Sequence, residues 1–325
     1  MWYNNAVRAT EINRRFYAQN KEDPAVRAGL QHSADRKHRD KKYGIAESGE
    51  TMGAVQTETV QTDSFSMDFF RFGHGDKVFV ILPGLSVESV MKYADAVAQA
   101  YSLLTDGFTV YVFDRRKEMP EDYSMLDMAR DTAEAFRVLG LKDICLFGAS
   151  QGGAIAMIIA VREPELVEKL VLGSTFARIT PELYENVDSW IRLAESGKAE
   201  KLYLAFGEAI YPPEVFRQAR ENLAAAAGNV TEEEMSRFVI QAESIKGFDI
   251  TESISRIACP VLVLGSKDDR VLGAESPELI AKQLRTYSEL YIYDGYGHAA
   301  YDLAPDYKER ILRFLLQDPS VSGGL

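Results

Sequence analysis

Cysteine is scarce in this chain: Cys145 and Cys259 are the only two in 325 residues. Both stand in apolar, strand-like surroundings, "DICLFG" and "IACPVLVLG". That setting suits buried free thiols better than a disulfide or a metal pair, and it points to the cytoplasm. No Cys/His cluster has metal-ligand spacing, and no G-x-G-x-x-G opens a helix after a strand, so neither a metal nor a dinucleotide cofactor is implied. No apolar run reaches the roughly 18 residues of a membrane span. The N-terminal "MWYNNAVRATEINRRFYAQN" has no apolar core of signal-peptide length. Positive charge is in deficit, with 37 Lys and Arg against 49 Asp and Glu and a net charge of −12. Such a surface is a poor partner for nucleic-acid phosphates. The one basic run, "RKHRDKK" at 36–42, reads as a solvated segment.

What is present is an ordinary soluble-enzyme composition, 46% hydrophobic and 26% charged. Residues 1–51 are polar, but Trp2, Ala6, Ala9, Ile12 and Phe16 recur at helical spacing. This N-terminal helical extension must cover either its own domain or a partner chain, which makes a homodimer through that helix an expectation. From residue 52 the pattern changes. "AVQTETV" (54–60) and "SFSMDFFRF" (64–72) read as strands, and "GHGD" (73–76) as a turn. Apolar strands then alternate with amphipathic helices: "KVFVILPG", "FTVYVF", "DICLFG" and "KLVLGS", later "CPVLVLGS" and "ELYIY". The alternation predicts an α/β fold with a mostly parallel, doubly wound, eight-stranded sheet. It stops between 176 and 250, where only helices are legible, with start signals at Thr180-Pro181 and at Thr231 with Glu234. The predicted organisation is an α/β core over 52–175 and 251–325, with a helical cap, or lid, over 176–250.

Gly148-Ala149-Ser150-Gln151-Gly152 is a G-x-S-x-G pentad with an apolar strand before it and a helix after it. A strand running straight into a helix turns sharply at residue 150, and neighbours two away must lack bulk. The turn lifts the serine hydroxyl to a helix N-terminus, where the Gln151 N–H and the helix dipole favour an oxyanion. A serine nucleophile needs a base. Of the four histidines, His32 and His38 lie in the polar N-terminal segment and His74 lies in a turn. His298 follows the last strand in "YDGYGHAAYDLAPDY", where the preceding glycines at 295 and 297 let the loop turn sharply. An acid after a strand is available in "VLVLGSKDDRVLG", where Asp268 or Asp269 could orient the imidazole. The two point differently, so one can do this and the other is a loop or capping residue.

In these motifs the chain, over about 52–317, resembles the α/β-hydrolase superfamily, in the branch with a serine nucleophile and a helical cap. The resemblance implies an order of nucleophile Ser150, acid, and base His298. Its acid stands three residues after a glycine, which selects Asp268, after Gly265 and before Val271. Its second oxyanion donor follows the third strand, here "ILPGLSVES". The resemblance thereby implies the N–H groups of Leu85 and Gln151 as the oxyanion hole, with Gly84 and Ser86 near the substrate. Pro83 replaces the family's usual histidine there. "FDRR" (113–116) resembles a family turn, with Asp114 structural. The implied activity is hydrolysis of a small, mostly apolar ester or lactone through an acyl-enzyme, without a cofactor. "GASQGG" with a helical insert after the sixth strand looks like the branch that holds enol-lactonase-like, esterase and cofactor-free haloperoxidase-like members. Amide, carbon–carbon bond or perhydrolase chemistry stays open, as does a non-catalytic ligand-binding protein of this fold. Aromatic residues of the cap, Tyr184, Trp190, Tyr203, Phe206, Tyr211, Phe216 and Phe238, are divided between helix packing and the pocket.

Overall fold

The protein was described from a computed structural model covering residues 54–317. The helix expected around Trp2–Phe16, and any dimer contact through it, lie outside the described residues.

Eight strands form one sheet: β1 (Thr57–Gln61), β2 (Ser66–Phe72), β3 (Lys77–Leu82), β4 (Phe108–Arg116), β5 (Ile144–Ala149), β6 (Val167–Gly173), β7 (Val261–Ser266) and β8 (Ser288–Tyr293). Their order across the sheet is β1-β2-β4-β3-β5-β6-β7-β8. β1 and β2 run antiparallel, as do β2 and β4; every other pairing is parallel. The central strands β5 and β7 are buried at every position. Their unbroken apolar runs follow from that, because helices cover both faces of a parallel sheet.

Helices α1 (Ala94–Ala100), α2 (Met125–Val138) and α3 (Gln151–Arg162) follow β3, β4 and β5. Four helices lie between β6 and β7: α4 (Pro181–Glu195), α5 (Ala199–Ile210), α6 (Pro213–Ala227) and α7 (Glu232–Glu243). After β7 come α8 (Ser276–Gln283), the short α9 (Ala300–Leu303) and α10 (Tyr307–Leu316). Thr180 caps α4 with Pro181 at its first position, and Thr231 and Glu234 form a reciprocal capping box on α7, as their spacing predicts. The stretch "ESVMKYADAVAQAYSLLT" (88–105), which reads as one helix in sequence, holds α1 flanked by two 3-10 turns. Two backbone hydrogen bonds close the root of the four-helix insertion, Ile179 N–H to Phe248 O (3.0 Å) and Ile250 N–H to Ala177 O (2.8 Å). The insertion therefore leaves and rejoins the sheet at one point.

One core cluster packs α2, α3 and α8 on one sheet face and continues into the insertion through Leu183, Trp190, Leu202 and Phe206. The other packs α1 and α10 on the opposite face. β3 lies between β4 and β5, so the chain reverses its direction of travel across the sheet there. Ligands of open α/β sheets bind outside the carboxyl ends of the strands at such a reversal. No helix among the described residues is long and apolar enough to cross a membrane.

Packing is tight at the crossing of β3, β5 and α3. A Cβ added at Gly152 would lie 2.1 Å from the Leu82 carbonyl oxygen, which is backbone and cannot swing aside. Gly152→Ala is expected to cost at least about 3 kcal/mol of unfolding free energy in urea titration. A change below about 1 kcal/mol would contradict this packing.

Candidate active site

β5 ends at Ala149 and α3 starts at Gln151, leaving Ser150 alone to make the turn at φ 51°, ψ −123°. That backbone is strained for a residue with a side chain. Neighbours hold it: the Ser150 N–H donates to Gly173 O (2.9 Å). The Thr175 hydroxyl donates to Ser150 O (2.6 Å). A Cβ on Gly148 would meet Gly152 O at 2.3 Å, so the pentad's outer glycines touch each other across the turn.

His298 sits in a 3-10 turn, Gly297–Ala299, and is 2% exposed. The loop reaches it through Gly295 and Gly297, at φ 81° and 58°. The structure corrects the choice of acid. The imidazole Nδ1 meets Asp269 Oδ2 at 2.8 Å, not Asp268. Asp269 is buried, and its Oδ1 accepts the N–H groups of Val271 (2.9 Å) and Leu272 (3.0 Å). Asp268 instead accepts the Ser266 hydroxyl (2.8 Å) and the N–H groups of Gly295 (3.1 Å) and Gly297 (3.0 Å). The two carboxylates diverge, one gripping the imidazole and the other the loop that carries it. Spacing from Gly265 cannot register that divergence. A carboxylate accepts only, so the proton resides on Nδ1 and leaves Nε2 with a lone pair.

Ser150, His298 and Leu85 line one cavity, together with Phe176, Leu183, Trp190, Phe206, Ile210, Ile245 and Val271. Its empty volume is about 320 Å³, of which only about 10 Å³ admits the centre of a water-sized molecule, roughly one water. Besides Ser150, His298 and the Trp190 indole, the lining side chains are hydrocarbon. The serine hydroxyl and the imidazole share this cavity without a hydrogen bond between them, a contact that in apo sites often tightens only around substrate. Of the cap aromatics, Trp190 and Phe206 reach the cavity, with ring centroids 4.5 Å apart, while Tyr184 is exposed. Gly84 and Ser86 are not among the lining residues. The Ser86 hydroxyl, expected to face substrate, donates to Glu88 O (2.8 Å) and closes the loop on itself. A larger surface depression of about 740 Å³, beside Arg178 and Glu275, includes neither Ser150 nor His298. Among the described residues, no group of three or more His, Cys, Asp or Glu side chains is arranged to hold a metal ion.

Both segments expected to donate to an oxyanion are fastened to the insertion. The Gln151 amide Nε2 donates to Gln241 O (2.7 Å) and the Ser244 hydroxyl (3.2 Å) at the end of α7. On the loop after β3, Glu88 is buried and accepts the hydroxyls of Tyr93 (2.5 Å) and Tyr203 (3.0 Å), the latter from α5. Lys92 bridges Glu88 to Glu234 on α7. Burial pushes the Glu88 carboxyl up, while hydrogen bonds from Tyr93 and Tyr203 and the Lys92 charge act to lower it, and on balance it lies below its ordinary value of 4.5. Burial and the adjacent Glu88 charge push the Tyr203 phenol upward in turn. Sequence reasoning missed this cluster, because nothing along the chain joins 88 to 203.

The matched family model describes the alpha/beta hydrolase fold, and it spans residues 77–305. The chain belongs to the α/β-hydrolase fold family. The proposed carbamate hydrolase RutD of Agrobacterium fabrum is 29% identical over 222 residues, 66% of this chain and 85% of that protein. Among solved structures, MGS-M2, an α/β hydrolase from a Medee basin deep-sea metagenome library, aligns with a TM-score of 0.72 at 20% identity, covering 80% of this chain and 98% of that one. The enol-lactonase of Burkholderia xenovorans LB400 aligns at 0.69 with 16% identity, covering 80% and 100%.

A carboxylate with a depressed folded pKa stabilises the fold above its unfolded value, and that contribution is lost as pH falls through the folded value. The stability gap between the native protein and Glu88→Gln is therefore expected to be full at neutral pH and to narrow as pH drops below 4.5. Urea titration along a pH series measures it. A gap that stays constant or widens in acid would contradict the assigned role.

Proposed function

We propose that the protein is a serine hydrolase that cleaves small, neutral, largely apolar carboxylic esters or lactones. One observation carries the reading. Ser150, at a strained strand–helix turn, and His298, held by buried Asp269, line one largely apolar cavity. The relatives named as hydrolases support the same class.

In this reading Nε2 of His298 takes the proton as Ser150 Oγ attacks the substrate carbonyl. Asp269 keeps Nδ1–H in place and stabilises the imidazolium. The tetrahedral oxyanion lies at the start of α3, held by the N–H groups of Leu85 and Gln151. As the intermediate collapses, the alcohol leaves with the proton from Nε2. Water, activated by the same nitrogen, then releases the acid from the acyl-enzyme. The four inserted helices act as a cap, contributing Leu183, Trp190, Phe206 and Ile210 to the acyl pocket. With room for roughly one water in the closed cavity, substrate access requires this cap to move.

Carbamate hydrolysis is the second reading, favoured by the RutD similarity. A carbamate nitrogen seeks a polar partner, and the apolar wall supports an acyl chain instead. Parallel turnover of p-nitrophenyl acetate, longer p-nitrophenyl esters, lactones and aryl carbamates tests the choice. Short-chain esters are expected to lead, and carbamates turned over faster than every ester would reverse it.

A fluorophosphonate probe is expected to label the protein and to lose its target in Ser150→Ala. Retained labelling in that variant would sink the serine reading. Asp269→Asn is expected to lower kcat for p-nitrophenyl acetate by about a thousandfold or more, from loss of the imidazole's orientation. Asp268→Asn is expected to cost far less, and the reverse order would restore Asp268 as the orienting acid.

A further inference from the structure

Arg115, near the end of β4, is 2% exposed. Its Nη2 donates to Pro83 O (2.8 Å) and, at longer range, to Gln151 Oε1 (3.4 Å). Its Nε is buried without a partner. Among the described residues, no carboxylate forms an ion pair with it. The neighbouring Asp114 directs its oxygens to the Ser89 hydroxyl (2.5 Å) and to the backbone N–H of Arg115 (2.7 Å). Burial pulls the guanidinium pKa down, while Asp114 and Tyr123 act to hold it up and Arg237 acts to lower it. Arginine nevertheless stays charged at neutral pH. A buried cation without a counter-ion is costly to a fold and normally calls for an explanation.

The two groups it touches supply one. Pro83 O lies two residues before Leu85 and packs on Gly152, whose added Cβ would meet it at 2.5 Å. Gln151 is the first residue of α3. These are the two segments whose N–H groups hold the oxyanion in the function proposed above, a reading on which this inference rests. We infer that Arg115 is a positioning residue for the oxyanion hole, binding both donor segments from behind and supplying a fixed positive charge that finds its complement when the oxyanion forms. Arg115 does not line the cavity, so it acts through Pro83, Gln151 and its field rather than by contact with substrate. In a site closed to water such a field is weakly screened and is in place before the reaction starts.

The test uses phenylboronic acid, whose adduct with a serine hydroxyl is tetrahedral and anionic, and p-nitrophenyl acetate as substrate. Boronate affinity is read from the fluorescence of Trp190, which lines the cavity. Arg115→Gln keeps a donor and removes the charge; Arg115→Lys keeps the charge. Arg115→Gln is expected to bind the boronate about tenfold more weakly or worse, with kcat falling in proportion and KM nearly unchanged. Arg115→Lys is expected to recover most of that loss. Should Arg115→Gln not fold, Arg115→Met, which removes donor and charge together at similar length, takes its place beside Arg115→Lys. Arg115→Gln binding within about twofold of the native protein would overturn the inference, as would equal losses in the Gln and Lys variants, which would mark a packing role. Ser150→Ala separates the two readings: native-like boronate binding in that variant overturns the serine nucleophile itself. Lost binding there, with Arg115→Gln unaffected, overturns only the role of Arg115.

Discussion

Ser150 adopts a backbone conformation worth about 1–3 kcal/mol of strain, and it does so where three elements pack backbone against backbone. The strand that delivers it and the helix that follows it meet with no room for side chains at Gly148 and Gly152. Leu82 and Pro83, at the end of β3, close the same contact from the neighbouring strand. Everything else in the site is arranged around this crossing. The sheet reverses its order at β3, which brings the loop after β3 beside the serine. The histidine arrives on a loop folded back by two left-handed glycines and fastened by Asp268. Strain at one residue persists because several backbone contacts determine it together, and the hydroxyl is thereby fixed before substrate arrives.

The insertion is more than a roof over that crossing. It starts and ends at one closed root, yet its helices also grip the core elsewhere, and two of those points border the site. Tyr203 and Glu234 hold the Glu88–Lys92 segment after β3, and the end of α7 holds the Gln151 side chain. Those two attachment points belong to the segments that carry Leu85 and Gln151. Displacing the insertion to admit substrate, in the proposed function, disturbs both donor segments as well as uncovering the serine, and its return restores both. In the proposed function, closure and assembly of the oxyanion hole become one event.

Much of this was legible along the chain, where the signal is local. Unbroken apolar runs mark β3, β5 and β7 because burial on both faces leaves no polar alternation. Thr180-Pro181 and the Thr231–Glu234 pair mark helix starts because capping is satisfied within one turn. The pentad at Ser150 is legible because the steric demand falls on adjacent residues. The choice between Asp268 and Asp269 was not legible, since consecutive side chains diverge and only the folded loop decides which meets the imidazole. The 88–105 stretch misled for a related reason: its apolar residues keep helical spacing while the helix gives way to 3-10 turns on both sides of α1. Glu88 with Tyr203, and Arg115 with Pro83 and Gln151, join residues far apart in sequence, and no period or spacing announces them.

The central claim is that Ser150 carries the acyl group in the course of hydrolysis. Acid quenching during steady turnover of p-nitrophenyl acetate, followed by intact-mass and peptide measurement, reads this directly. The account predicts one acetyl group per chain, located on Ser150. Continued turnover with no acetylated protein, or with the acetyl group on another residue, would contradict it.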